Sequence, residues 1–498
     1  MKITTAEESK ISGKTLFKDI IGYLPARLVP ALLTLAALPL VTRLFPPSDY
    51  GNYALALAAL SALSALSGWT PIAILRFYPA YEKQGKGEFF TGQILKLTFG
   101  TVLCVAALSF CILGLLKNHL PAELGRLLAL ALAVFVPASI FAMLLEFLRI
   151  KRKIAAYSAL SIWKSVTALG FGVLLAVSFR MGAQAMLWGL FLSLLLALPF
   201  AWRAGIGPFS VRDLKISPAY TREMAAYTLP LTLGNLAVWI LSLSDRYILN
   251  LFRGPQEVGI YSVSYQISEQ SIMLFASLFS FAFSPLSVMV WEKEGLEKTQ
   301  RFMTQGTRYF LLLCLPVTAG MAVLSRPILE LLSTPQYFEG TRIFPLVVAA
   351  AFLEGLVQRY GAGLSFYKKT RLQMWAWLLA GAANVGLNLL LVPRYGYIAA
   401  AVTTLLSYGL LLALTVSFSR RYFIWNFPFR SLANALLASL VMGAAVHVMA
   451  SAVEAPLFSI LTGTAAGAAV YLMTLYVLRE YLPAEKEAVK TFLKVRPV

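Results

Sequence analysis

Apolar stretches of about 20 residues follow one another along the chain, parted by short segments where charged residues, Pro and Gly collect. About 20 apolar residues in helical form cross the hydrocarbon of a bilayer, and a helix satisfies its own backbone there. The pattern predicts fourteen spans near 18–42, 52–76, 90–116, 122–148, 155–179, 183–203, 224–252, 258–290, 300–324, 341–365, 371–392, 397–419, 428–450 and 456–480. No polar segment is long enough for a soluble domain, so the expected fold class is an all-α polytopic membrane protein. The first apolar run follows Lys10, Lys14 and Lys18 as a signal peptide would. It is too long for one and lacks a small-residue cleavage site, so it reads as a retained first span. Residues 1–17 read as an amphipathic helix on the inner membrane surface.

The polar punctuation repeats. "LFPPSDYGNYALALA", from Leu44, lies between spans 1 and 2, and "FRGPQEVGIYSVSYQ", from Phe252, lies between spans 7 and 8. Pro47 and Pro255, Asp49 and Glu257, Gly51 and Gly259, and Tyr53 and Tyr261 match at an offset of 208 residues. Each part has a local reason: Pro suits a first helical turn, and an acid there meets the positive end of the helix dipole. Gly permits close helix approach, and Tyr anchors at the membrane boundary. "RMGAQAMLWGLFLS", from Arg180, returns as "RYGYIAAAVTTLLS", from Arg394, at an offset of 214. Six spans is an even number, so two six-span halves are parallel repeats about an axis along the membrane normal. The expected organisation is an N-lobe (1–203, spans 1–6), a basic cytoplasmic linker (204–223), a C-lobe (224–420, spans 7–12), and spans 13–14 with a cytoplasmic tail (421–498).

Composition agrees: 59% of residues are hydrophobic and 13% charged, against about 25% charged in soluble domains. A net charge of +20 by itself would suggest a nucleic-acid partner, but the charges follow topology. With a cytoplasmic N-terminus, the inner segments hold 29 of the 43 Lys and Arg, the outer turns hold 8, Lys117 and Arg126 among them, and 6 lie inside spans. That asymmetry is the positive-inside pattern and puts both termini in the cytoplasm; no nucleic-acid partner is expected. Cys104, Cys111 and Cys314 read as buried small apolar residues. His119 and His447 are far apart, and neither a metal site nor a cofactor is expected.

A charge at mid-membrane costs about 2.5–3.5 kcal/mol on insertion scales and so faces a cavity or a partner. The cations are Arg27, Lys96, Lys164, Arg246, Arg308 and Arg359, and the acids are Glu146, Asp245, Glu269 and Glu354. The positive excess suits an anionic substrate. In span 7, Thr228, Thr232, Asn235, Trp239, Ser242 and Arg246 form one stripe at helical spacing. The 208 offset puts Arg27 on Asn235 and Thr34 on Ser242, so the two stripes are expected to face each other across a lumen. Packing through small polar residues explains Thr and Ser but not Arg.

Other faces carry less. Tyr157, Ser161 and Lys164 share one in span 5; Ala351, Glu354, Gln358 and Gly361 share one in span 10, with Arg359 beside it. Trp377, Gly381, Asn384 and Asn388 share one in span 11, which offers a sugar amide hydrogen bonds and a flat ring; interhelical bonding explains the asparagines equally. Arg308 is either a lumen residue or a snorkelling one. Asp245 and Arg246 are neighbours in sequence and point apart on a helix, so adjacency alone makes no salt bridge.

With six, six and two spans and a cationic interior, "TRLFPPSDYGNYALA", "SDRYILNLFRGPQEVGIYSVSYQIS" and "LVPRYGYIAAAVTTLLS" resemble the polysaccharide transporter (Wzx-like) flippase family. That family belongs to a superfamily with multidrug extruders and lipid II flippases, and the resemblance covers essentially the whole chain. It implies a two-lobed fold around a lumen that opens alternately to each side. It implies an oligosaccharide on undecaprenyl pyrophosphate, such as an O-antigen or exopolysaccharide repeat unit, carried to the outer leaflet of a bacterial inner membrane. Arg27 and Arg246 are best placed to hold the pyrophosphate, and Arg43 matches the arginine the family often carries at the end of span 1.

On this reading the substrate-binding set is Arg27, Thr34, Arg43, Lys164, Asn235, Trp239, Ser242, Arg246, Arg308, Arg359, Asn384 and Asn388. Asp245, Glu354 and Glu146 are candidates for a coupling cation. The partners are the lipid-linked oligosaccharide, membrane lipids and that cation, with the monomer as the working unit. Arg27→Ala and Arg246→Ala are expected to abolish export and leave insertion intact. A drug exporter would want an acid in span 1, which holds Arg27 instead. A lipid II flippase fits the same pattern. A membrane glycosyltransferase or polymerase would need catalytic acids on a sizeable loop. The longest outer loop, Ser325 to Gly340, has only Glu330 and Glu339, and no D-x-D occurs.

Overall fold

The structure, a computed structural model, describes residues 13–207 and 217–481. Most of the expected N-terminal amphipathic helix, the centre of the basic linker and the end of the tail lie outside the described residues.

The chain is all-helical there: α1 (Gly13–Leu44), α2 (Pro47–Ser67), α3 (Trp69–Lys83), α4 (Gly87–Leu116), α5 (Ala122–Ile150), α6 (Ile154–Phe179), α7 (Gln184–Gly205), α8 (Pro218–Arg253), α9 (Pro255–Glu294), α10 (Leu296–Val323), α11 (Ser325–Leu332), α12 (Phe344–Phe366), α13 (Thr370–Ser419), α14 (Phe429–Ser451) and α15 (Pro456–Val477). Among the described residues, eleven stretches are long and apolar enough to cross a membrane, with α2 and α3 together as Pro47–Lys83. A twelfth is formed if the 3-10 turn Pro335–Arg342 and α12, which meet at 58°, make one span. The sequence pattern predicts fourteen. The difference lies there, in α9, which is outside the eleven, and in α13, which counts once. Fifty residues of α-helix would run about 75 Å, against a hydrocarbon core of about 30 Å. Helical geometry in α13 fails at Gly396, at φ 58° and ψ −142°.

The punctuation does structural work. Pro47 opens α2 and Pro255 opens α9. A Cβ added to Gly51 would stand 1.9 Å from the Pro255 carbonyl oxygen, and one added to Gly259 would stand 1.9 Å from that of Pro47. The two helix starts therefore cross backbone to backbone, reciprocally. Gly182 and Gly396, equivalent in the second echo, share φ values of 60° and 58°, a region other residues enter at a cost. Glu257 accepts from the Tyr397 amide (3.0 Å) and from Arg253 Nε (2.8 Å), so this acid secures the break in α13 as well as meeting its own helix dipole. Tyr261 does not anchor at a boundary as expected. It is 0% exposed and donates to the Asp245 carboxylate.

Packing divides the described residues into two compact units, one of those up to 262 together with 371–403 and the other of 263–370 together with those from 404 onward. In the first, α6 packs on α7 and α1, α5 on α7 and α2, and α8 on α2 and α3, around Phe90, Phe135, Leu144 and Phe147. In the second, α10 packs on α12 and α14, and α14 on α15. Phe310, Cys314 and Phe352 form one cluster there, and Met303, Tyr360, Phe423 and Trp425 another. Cys314 is buried as expected, but Cys104 and Cys111 are exposed. They lie on α4, whose apolar window is only 6% buried, so a small thiol there faces outward with the leucines around it.

Candidate functional site

Span 7, now α8, holds the densest group of predicted residues. Arg246 is 6% exposed and Asp245 0%. Arg246 Nη1 lies 3.3 Å from Asp245 Oδ1 and donates to the Ser242 carbonyl (2.8 Å). This corrects the expectation from adjacency: the two Cβ atoms diverge, but the long arginine side chain folds back over the carboxylate. Asp245 Oδ1 also accepts from the Arg246 amide (2.8 Å). The guanidinium sits 5.6 Å from the Tyr261 ring centroid. The carboxylate is thus met by a cation, an amide and a phenol, which is what a buried charge needs.

The stripe is not uniformly wet. Trp239 Nε1 donates to the Ala58 carbonyl and Tyr247 Oη to that of Leu55, both at 2.9 Å, and these bonds pin α8 to α2. Thr228 and Thr232 are buried and return their hydroxyls to their own helix. Asn235 is exposed, and Ser242 half-buried.

On α1, Arg27 and Arg43 are exposed, and Thr34 is half-buried with its hydroxyl on the Pro30 carbonyl. Pro25, Pro30 and Pro39 lie inside this helix, each removing a backbone hydrogen bond and favouring a bend. α1 packs on α6, where Ser158 donates to the Gly22 carbonyl (2.9 Å). Lys164, also on α6, is half-buried. Glu146 is 3.5 Å from Arg149. Asn384 and Asn388 are both 0% exposed. Asn388 donates to Asn384 (3.0 Å) and accepts from Thr403 (2.8 Å), so the pair ties α13 together across its break. Asn384 Nδ2 is buried without a partner.

The second unit holds three further groups. Arg359, 3% exposed, has its guanidinium 5.1, 5.1 and 5.7 Å from the ring centroids of Phe279, Phe283 and Phe310. It donates to Ser280, and its Nε is buried without a partner. Glu354 takes a hydrogen bond from Tyr408 and interacts with Glu269. Arg308 Nε bonds Glu480 Oε1 (2.9 Å), and the same carboxylate accepts from Ser431 (2.5 Å) and Asn434 (2.7 Å). Tyr261, Tyr408, Ser280 and Glu480 were absent from the predicted set. Of these only Tyr261 had left a mark in the sequence, as the last residue of the repeated turn.

The basic loop after α5 is partly structural. Lys151 and Lys153 donate to the carbonyls of Gly205 (2.8 Å) and Ala204 (2.7 Å) at the end of α7, where cations meet the negative end of a helix. Burial, and then the neighbouring Lys153, hold the Lys151 ammonium below the usual lysine range.

Residues 16–291 match the family described as Polysaccharide biosynthesis protein, and residues 230–390 match MatE. The probable low-salt glycan biosynthesis flippase Agl15 of Haloferax volcanii is 21% identical over 385 residues, 77% of this chain and 79% of that protein. Among solved structures, the lipid II flippase MurJ in an inward closed conformation superposes with a TM-score of 0.75 at 15% identity, over 94% of this chain and 99% of that one. An inward-facing multidrug resistance MATE transporter superposes with a TM-score of 0.66 at 12% identity, over 81% and 97%. The fold is that of MurJ and the MATE transporters, a polytopic membrane fold.

Proposed function

The chain belongs to the polysaccharide biosynthesis protein family, and from that premise we propose that it is a flippase for a lipid-linked oligosaccharide, working by alternating access. The observation that carries this reading is the charge inside the spans, six cations against four acids. Asp245 is engaged by Arg246, Glu146 by Arg149 with Arg27 also acting on it, and Arg308 by Glu480 from beyond the end of α15, while the Arg27 side chain itself is exposed. A pyrophosphate headgroup crossing the membrane needs cations in place of its hydration shell, and the sugars need hydrogen bonds in place of water. The isoprenoid tail stays in the bilayer throughout.

In the finer reading, the carrier is undecaprenyl pyrophosphate, and the glycan is an O-antigen or exopolysaccharide repeat unit. It moves from the inner to the outer leaflet of a bacterial inner membrane, with both termini cytoplasmic and the monomer as the working unit. Dividing α13 at Gly396, and counting α9 and the bent pair as one span each, brings eleven spans to fourteen. Two six-span halves then rock about a cationic lumen to which Arg27 and Asn235 belong. Among the candidate coupling acids Glu354 is favoured, because a second carboxylate, Glu269, rather than an arginine, acts on it. Depleting the chain from its host and identifying lipid-linked species tests the reading. An oligosaccharide–lipid held on the inner leaflet is expected, and the absence of any accumulating species contradicts it.

A further inference from the structure

Between the end of α4 and the start of α5 lies a cavity of about 490 Å³, within the size range of small-molecule sites. Phe110 and Leu113 give it apolar walls, and the only charged side chains lining it are two cations, Lys117 and Arg126. Two of its wall positions are glycine, and a Cβ added to Gly114 or to Gly125 meets nothing within 4 Å, so the wall there is open space. Phe110 is 70% exposed, which in this helix means exposed to lipid. Glu123, one turn before Arg126, takes a hydrogen bond from Asn52 and also acts on Arg126, but it does not line the cavity, so Arg126 keeps its face toward the trough alongside Lys117.

The turn joining two spans sits at the membrane boundary, where lipid phosphates lie. An apolar trough ending in two cations at that level is complementary to an amphiphile with a hydrocarbon chain and an anionic head. We propose that this groove binds an anionic phospholipid, with its phosphate between Lys117 and Arg126 and one acyl chain along Phe110 and Leu113. A zwitterionic lipid brings its own ammonium to the same cations and is disfavoured. The site is separate from the residues assigned to transport and stands whether or not the flippase reading holds.

The test uses the full-length purified chain, delipidated in detergent and offered phosphatidylglycerol or phosphatidylcholine with identical chains. Native mass spectrometry reads the bound lipid, and thermal unfolding reads the stabilisation. Phosphatidylglycerol is expected to be retained and to raise the unfolding midpoint. The Lys117→Gln/Arg126→Gln double variant is expected to weaken that retention about 30-fold, from the usual contribution of two basic residues near an anionic headgroup. Gly114→Leu, which fills the trough and leaves both charges, is expected to lose it as well. Unchanged retention in both variants overturns the proposal. Equal retention of phosphatidylcholine does so too, and so does equal stabilisation by glycerol phosphate, which has the head and no chain.

Discussion

Asp245 is fully buried, and its carboxyl is held by Arg246 and Tyr261. Removing one partner of a buried ion pair costs about 3–5 kcal/mol, so Arg246→Ala is expected to lower the thermal midpoint of the purified protein sharply as well as its export. That revises the sequence-based expectation of intact insertion for this variant; an unchanged midpoint would show that the pair carries no stability. Arg27, exposed on α1, supports no such contact network in α8, and Arg27→Ala is expected to insert and melt normally while export is lost. Glu480→Gln should behave like Arg246→Ala, because it leaves Arg308 buried without its countercharge; the loss is again about 3–5 kcal/mol, read by thermal unfolding. Helical spacing made the polar stripe on α8 legible, since spacing is a local property. Nothing local connects Arg308 to Glu480, 172 residues away, nor announces that Trp239 would bond the Ala58 carbonyl. Those are products of tertiary packing, and the sequence shows only that such side chains need a partner.

Helices here begin and cross where Pro and Gly dictate. The reciprocal approach of Gly51 and Gly259 leaves no room for a methyl group, because the obstructing atoms are backbone carbonyls rather than movable side chains. Gly51→Ala and Gly259→Ala are each expected to destabilise by about 1–3 kcal/mol, the usual cost of overpacking. Gly100→Ala on α4, where a Cβ meets nothing within 4 Å, serves as the control and should melt no lower than the parent. Equal midpoints for all three would contradict the backbone crossing. These contacts were readable in outline, because the repeated turn marks both glycines. The break at Gly396 was readable for the same reason, from "RYGY". The bend ahead of α12 was not, since a short amphipathic segment between two spans carries no period that distinguishes a bent span from an outer loop. Exposure of Cys104 and Cys111 was hidden for a related reason: an apolar helix facing lipid and one facing a protein core have the same composition.

At the scale of the whole molecule, hydropathy and charge asymmetry alone made the class legible: helical and polytopic. The superposition on MurJ over 94% of the chain agrees on the fold. Substrate identity left weaker traces, because the pyrophosphate and glycan of the proposed substrate would be recognised by scattered arginines, amides and rings rather than by a catalytic signature. The central claim is transport, and reconstitution tests it most directly. The purified chain in proteoliposomes, loaded on one leaflet with an undecaprenyl-pyrophosphate oligosaccharide, should expose the glycan to a glycosidase added on the other side. Arg27→Ala proteoliposomes and empty vesicles should keep it protected. Glycan that stays protected with the parent chain as well as with Arg27→Ala, under an imposed ion gradient, would contradict the account.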